Sequence, residues 1–129
     1  MPREYISGTW ELNRSFSPAV ITTGGRTAWL AGVGGWKDER GEVIRDFAGQ
    51  VHATFREIGE TMQRFGGTLA DIVTMTVFIA DPRRGEEFTE LRKAYFPEGF
   101  PASALITVTA FAQPDMQVEI QAIAVLGDR

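Results

Sequence analysis

One carboxylate interrupts an otherwise apolar segment near the end of the sequence. Residues 118–125 read Val-Glu-Ile-Gln-Ala-Ile-Ala-Val, and the alternation of a strand would place Glu119, Gln121 and Ile123 on one face. A carboxylate that is partly removed from water can hold and polarise a water molecule, as a general base does. The same pattern fits a second interpretation, in which Glu119 and Gln121 form the wet face of an edge strand.

Other residue types that commonly carry chemistry are scarce. The sequence has no cysteine, which excludes a thiol nucleophile and a thiolate metal site. Its one histidine, His52, has no serine or carboxylate at a triad-like spacing, so we interpret it as a surface or groove residue. With so few ligand types, we expect no metal site and no cofactor.

A glycine-rich run at residues 32–35, Gly-Val-Gly-Gly, is the remaining candidate for a binding motif. It follows a strand-like segment, as a phosphate-binding loop does. However, it lacks the Lys-Ser/Thr pair of a P-loop, and Trp36 follows it where a helix would be needed. We therefore interpret the run as a tight turn.

Length and charge limit the class of protein. The 129 residues suit one domain spanning residues 1–129. A net charge of -4 would repel a phosphate backbone, so no nucleic-acid partner is expected. The sequence has neither a signal-like start nor a membrane-spanning stretch, which predicts a cytoplasmic protein without membrane contact.

Hydrophobic periodicity predicts two helices and five strands. The first helix begins after Asp46 as N-cap and ends at Gly66-Gly67, and its apolar residues recur every three or four positions. A shorter helix is predicted over residues 85–95. The predicted strands cover residues 19–23, 27–31, 72–80, 104–110 and 116–125.

The order of these elements predicts an α+β fold with helices on one face of a mixed sheet. The first two strands flank Gly-Gly-Arg at residues 24–26 and are predicted to form a hairpin. The other sheet face, with Ile72, Thr74, Thr76 and Phe78, would lack a cover. We expect this face to pack against further copies of the chain.

Two blocks of the sequence resemble the Rid/YjgF family of enamine/imine deaminases. Residues 66–81, GGTLADIVTMTVFIAD, are similar to the central segment of that family, and residues 118–125 are similar to its closing strand. The resemblance implies a chorismate-mutase-like α+β fold, with a six-stranded mixed sheet and two helices on one face. It also implies a homotrimer with small-molecule clefts between subunits. Other segments in the expected order are residues 17–20, Gly32, Gln50 and residues 95–97.

The same resemblance implies residue roles. Glu119 matches the catalytic glutamate that positions water for attack on an imine carbon. The implied substrate-binding positions are Phe16, Gly32, Thr89, Ser103 and Leu105, the last through its backbone N–H.

Three of these positions depart from the family pattern, since Phe16 replaces a tyrosine, Thr89 an asparagine and Ser103 the substrate-clamping arginine. A serine cannot supply the charge or the bidentate geometry of that arginine. Introducing Ser103→Arg is therefore expected to raise activity toward small imino acids.

Two functions remain open from the sequence. The first is hydrolytic deamination of small enamine or imine metabolites, with Glu119 orienting water. The alternative is a non-catalytic trimer that binds a small molecule in a cleft around Phe16, Trp36, Ser103 and Phe111. A third possibility, ribonuclease activity, is disfavoured by the acidic charge and the lack of catalytic histidine partners.

Overall fold

The computed structural model describes residues 3–8, 10–11 and 13–127. This part of the chain contains two α-helices, α1 at Phe47–Gln63 and α2 at Gly85–Arg92. None of the helices in the described residues has the length and apolar character needed to cross a membrane. The strands are β1 Arg3–Ile6, β2 Ala19–Thr22, β3 Arg26–Trp29, β4 Ile72–Ile79, β5 Ala102–Thr107 and β6 Val118–Leu126.

The six strands are divided between two hydrogen-bonded sheets. The larger sheet has the order β3-β6-β4-β5, in which β4 and β5 are parallel and the other pairs are antiparallel. Helix α2 connects the two parallel strands, as a parallel pair requires a crossover. Strands β1 and β2 form a separate antiparallel pair. The predicted α+β class with a mixed sheet is confirmed, and both helices pack against one sheet face to form the core.

Helix α1 forms where its periodicity predicts. The Asp46 carboxylate accepts a hydrogen bond from the Gly49 N–H at 2.8 Å, which satisfies a donor that the first turn leaves free. Beyond the C-terminus, Gly66 has a φ of +82°, a left-handed conformation that glycine adopts without a steric penalty. The apolar stripe that this helix buries comprises Phe47, Val51, Phe55, Ile58 and Met62.

The predicted hairpin at residues 19–31 is wrong, although the chain bends at its two glycines. Gly24 and Gly25 have φ values of +75° and +82°, in the left-handed region that glycine adopts without a steric penalty. The strands on either side nevertheless join different sheets, because β2 pairs with β1 and β3 pairs with β6. Local turn chemistry therefore does not determine the strand partners here.

At the start of β4, the side chains that face the core are shifted by one residue relative to the predicted alternation. The pairing with β6 has an irregularity between Ile72 and Thr74, and Ile72 is only 1% exposed within the core. The expectation that Ile72 lies on the uncovered face is therefore wrong, because a bulge reverses the side-chain direction. Thr74, Thr76 and Phe78 do alternate with the buried Met75 on β4.

The glycines of residues 32–35 do not form the predicted tight turn. Val33 instead exchanges two backbone hydrogen bonds of 2.8 Å with Ile120 of β6. A Cβ added at Gly35 would lie 2.7 Å from the Cβ of Ala53 in α1. The run is rich in glycine because its backbone packs closely against its neighbours.

Candidate functional site

Glu119 lies in the middle of the larger sheet, on the face opposite the helices. Strand β6 is flanked by β3 and β4, so the interpretation of Glu119 as part of an edge strand is wrong. Its register partner on β4 is Phe78, and the side chain is half-buried. Within the described residues, the carboxylate forms no hydrogen bond and no ion pair. It is therefore available to a water molecule, a ligand or another chain.

Gly32 lies directly against this carboxylate. A Cβ at position 32 would overlap the Glu119 Oε2 atom and would lie 3.2 Å from its Cδ. Any larger residue would therefore displace the carboxylate. The structure thus brings Gly32 and Glu119 together.

Thr89 and Leu105 form a second group at the open edge of β5. Both line a surface pocket of about 470 Å³ between α2 and this edge. The Val108 N–H donates to the Ile79 carbonyl at 2.9 Å, so alternate N–H groups of this strand face β4. The Leu105 N–H has the opposite parity and points toward the open edge. The pocket lining is Asn13, Arg14, Pro82, Gly85, Glu86, Thr89, Glu90 and Leu105.

Ser103 lies on the helix side of β5, where it contacts a buried arginine of α2. Arg92 is only 2% exposed. Its Nη1 donates a hydrogen bond to the Ser103 Oγ at 2.7 Å. Its Nε donates to the Ser15 Oγ at 3.1 Å. Burial lowers the pKa of Arg92 to about 10, so the guanidinium remains charged at neutral pH.

The loop at residues 13–17 is fixed by the same contacts. Arg92 Nη2 donates to the Arg14 carbonyl at 3.3 Å, and the Ser15 hydroxyl donates to the Thr89 carbonyl at 2.7 Å. Ser15 has a φ of +59°, which is unusual for a residue other than glycine. These bonds hold the backbone before Phe16, and the Ser17 hydroxyl holds the backbone after it by donating to the Phe100 carbonyl at 2.7 Å. The Phe16 ring centroid lies 5.2 Å from that of Trp10.

Glu119 and Ser103 do not meet within one chain. Glu119 pairs with Phe78, and Phe78 pairs with Ile106, three residues beyond Ser103. Strand spacing and rise then separate the Glu119 and Ser103 backbones by roughly 14 Å. Their side chains also point to opposite faces of the sheet. A site containing both groups would therefore require a second copy of the chain.

Other residues with potential chemistry are placed apart from these groups. His52 is exposed on α1, as predicted, and its Nδ1 forms a hydrogen bond with the Tyr95 hydroxyl. Among the described residues, no cluster of three or more His, Cys, Asp or Glu side chains could hold a metal ion.

The sequence matches the model of a known protein family. The model of the Endoribonuclease L-PSP family matches residues 10–126, which is most of the chain. The chain therefore belongs to the Rid/YjgF family. The matched range of this Rid/YjgF protein includes both Gly32 and Glu119.

Curated and solved relatives agree with this assignment. A 2-iminobutanoate/2-iminopropanoate deaminase from Bos taurus is 31% identical over 113 residues, covering 87% of this chain and 80% of that protein. The Homo sapiens protein of the same name is 28% identical over the same shares. A solved Rid-family protein of unknown function from Yersinia pestis has a TM-score of 0.85 at 27% identity, covering 98% of this chain and 100% of that chain.

Sequence reasoning missed Arg92 in this family member. The buried residues of α2 are Phe88 and Arg92. Arg92 follows Phe88 by four residues, a spacing that places both side chains on the same helix face. A charged residue on an otherwise buried face was the available signal.

The hydrogen bond from Arg92 also bears on the expected effect of Ser103→Arg. An arginine introduced at position 103 would begin where the Arg92 guanidinium already forms a hydrogen bond. The two like charges would repel each other. The expected gain from Ser103→Arg alone therefore conflicts with these contacts.

Proposed function

We propose that this protein is a hydrolytic deaminase of small enamine or imine metabolites. In this proposal, Glu119 holds the attacking water, and the ligand lies in a cleft between two subunits. The observation that carries it is a half-buried carboxylate on an inner strand, without a protein partner in the described residues. The curated relatives with the deaminase name support the same reaction class.

The proposed reaction needs one general base and one oriented water. Glu119 accepts a proton from water as the water oxygen bonds to the imine carbon. The C=N π electrons move to the nitrogen, which takes up the proton that Glu119 accepted, and a carbinolamine forms. The carbinolamine hydroxyl then transfers its proton through Glu119 to the nitrogen as the C–N bond breaks, which releases ammonia and leaves a carbonyl product. Gly32 contributes by leaving room for the carboxylate, and the Leu105 N–H contributes a donor for a substrate carbonyl or carboxylate.

The proposed assembly is the homotrimer that the family resemblance implies. More than one copy is needed because the Glu119 and Ser103 side chains point to opposite faces of one sheet. The uncovered face exposes large apolar side chains, including Trp29 at 76% and Ile106 at 43%. Apolar surface of this kind is stabilised when a partner removes it from water. Self-association would place Glu119 of one copy beside the β5 edge of the next.

We expect light scattering at micromolar concentration to give about three times the 14.3 kDa chain mass. The variant Trp29→Glu should shift the population toward lower mass, since a charge would be buried at the interface. A monomer mass for the unmodified protein would contradict the proposed assembly.

A non-catalytic small-molecule-binding trimer is the second candidate. It is favoured by Phe16, Thr89 and Ser103, which lack the polar groups that the family pattern has at these positions. The two candidates differ in turnover. Freshly generated imines with a carboxylate, and others with an aromatic group in its place, should be assayed for ammonia release above the spontaneous rate. Ligand binding without acceleration of any of these would favour the second candidate.

A further inference from the structure

A groove beside α1 lies outside the candidate site. Its volume is about 520 Å³, which is within the usual range for small-molecule sites. One wall is α1, and the other is formed by two segments that contain Leu69 and Pro97. The groove is on the helix side of the larger sheet, whereas Glu119 lies on the opposite face. Its residues are therefore separate from those of the proposed deaminase.

Gly59 lies in the interior of α1 without a conformational or steric need for glycine. Its φ is not in the left-handed region, and an added Cβ would meet only the Leu69 Cγ, at an ordinary contact distance of 4.0 Å. Glycine inside a helix is less stable than alanine because the unfolded chain is more flexible there. Gly59 thus keeps the middle of the groove open while lowering the stability of the helix, which is the trade-off expected at a binding site.

One side of the groove is aromatic. Tyr95 lines it and is half-buried, and its ring stacks on that of Phe55 with centroids 4.4 Å apart and planes inclined by 22°. The Tyr95 hydroxyl forms a hydrogen bond with His52 Nδ1, which fixes the orientation of the tyrosine ring. Burial raises the pKa of Tyr95, so its hydroxyl is uncharged at neutral pH. A rigid, uncharged aromatic wall suits a second planar ring.

The polar groups of the groove favour an uncharged ligand. Arg56 contributes a cation to the lining, and Glu60 and Glu98 contribute carboxylates. A ligand of either charge would therefore meet a like charge at the rim. His52 also lines the groove, and its Nε2 atom forms no hydrogen bond with the described residues. This nitrogen is available to a polar group on the ligand.

We propose that the groove binds an uncharged, planar aromatic molecule that carries a hydrogen-bonding group such as an amide. The ring lies over Gly59 and packs against Tyr95, and the polar group forms a hydrogen bond with His52 Nε2. This second site goes beyond the proposed deaminase and does not depend on Glu119. The proposed assembly covers the other face of the sheet, so the groove stays open to solvent in the trimer.

Three probes separate the effect of the ring from that of charge. They are benzamide, cyclohexanecarboxamide, which has the same amide on a ring that is not planar, and benzoate, which has the same ring with a charge. His52 is the single histidine of the sequence, so its imidazole NMR signals report on the groove without ambiguity. Benzamide should shift these signals saturably. Cyclohexanecarboxamide should bind about 3- to 10-fold more weakly, as loss of aromatic packing predicts, and benzoate should bind no more tightly than benzamide.

Two substitutions at Gly59 test the role of the open space. Gly59→Ala should raise the Tm, measured at one fixed protein concentration, by about 2–5 °C because alanine is the better helix former. Gly59→Leu should weaken benzamide binding by about 10-fold or more, since the side chain would fill the groove. The matched control is Glu57→Leu, which places the same side chain on the other side of α1, outside the groove lining. It should bind benzamide as the unmodified protein does.

Four results would overturn the inference. They are no saturable shift with benzamide, equal affinity for the two amides, equal effects of Gly59→Leu and Glu57→Leu on binding, and a lower Tm in Gly59→Ala, which would mean that packing requires the glycine. Glu119→Gln should bind benzamide with unchanged affinity. A loss of binding in that variant would also contradict the inference, because the probe would then lie at the candidate site.

Discussion

Replacing Glu119 by glutamine is expected to reduce kcat for ammonia release by about 10²- to 10⁴-fold, the usual contribution of a general base. Glutamine has nearly the same shape, so the fit against Gly32 should survive. Its amide cannot accept a proton from water. The loss should therefore appear mainly in kcat, while the affinity for a stable carbonyl product stays close to that of the unmodified protein.

The control for this variant is Glu39→Gln, which removes an exposed carboxylate. Initial rates with freshly generated imine, corrected for spontaneous hydrolysis, should be unchanged in that control. A Glu119→Gln protein that retains its fold and more than about one-third of the rate would contradict the role of Glu119 as the base.

Truncating Phe55 to alanine is expected to cost about 3–5 kcal/mol in the free energy of unfolding, as for other buried phenylalanines. Phe55 is 0% exposed. Its ring centroid lies 4.4 Å from that of Tyr95, 5.9 Å from that of Phe96 and 6.2 Å from that of Phe88. The truncation would leave a cavity between α1 and the α2 region. The surrounding aromatic rings could not easily move to fill it.

Urea unfolding at one fixed protein concentration measures this loss, because assembly would make stability depend on concentration. The neighbouring exposed residue provides the control, and Arg56→Ala should change stability by less than about 1 kcal/mol. An equally small loss for Phe55→Ala would mean that this stripe does not form the main core.

Features encoded by local patterns were predictable from the sequence. The periodic stripe and the Asp46 cap predict α1 because the helical repeat and its N-terminal donors depend on nearby residues. Alternation along residues 118–125 likewise places Glu119 on the face opposite the core, and the structure agrees. The family resemblance and the α+β class also follow from the sequence.

Features that depend on distant partners were not predictable in this way. The chain bends at Gly24 and Gly25, yet the strands on either side pair with different segments, β2 with β1 and β3 with β6. The one-residue shift at Ile72 arises in the pairing of β4 with β6 and leaves no local signal. Strand β1, which the sequence analysis does not predict, pairs with β2 across the loop at residues 7–18.

The contact between Arg92 and Ser103 illustrates the same limit at the candidate site. The substitution at Ser103 is visible in the sequence and suggests a site without a cation. Only the packing of α2 against β5 reveals that a guanidinium from the helix reaches this serine. A missing side chain at one position therefore does not establish a missing charge in the folded protein.

Complementation between two inactive variants tests the central claim, a deaminase site shared by two copies of the chain. Glu119→Gln removes the general base from the half of the site that one copy supplies. Leu105→Pro damages the other by removing the N–H, and proline is tolerated there because this N–H points away from β4 on an edge strand. Each variant alone should be inactive. Trimers assembled from an equal mixture should recover about a quarter of the unmodified rate of ammonia release, since random pairing unites two intact halves at one site in four. No recovery, or full activity of Leu105→Pro alone, would contradict the account.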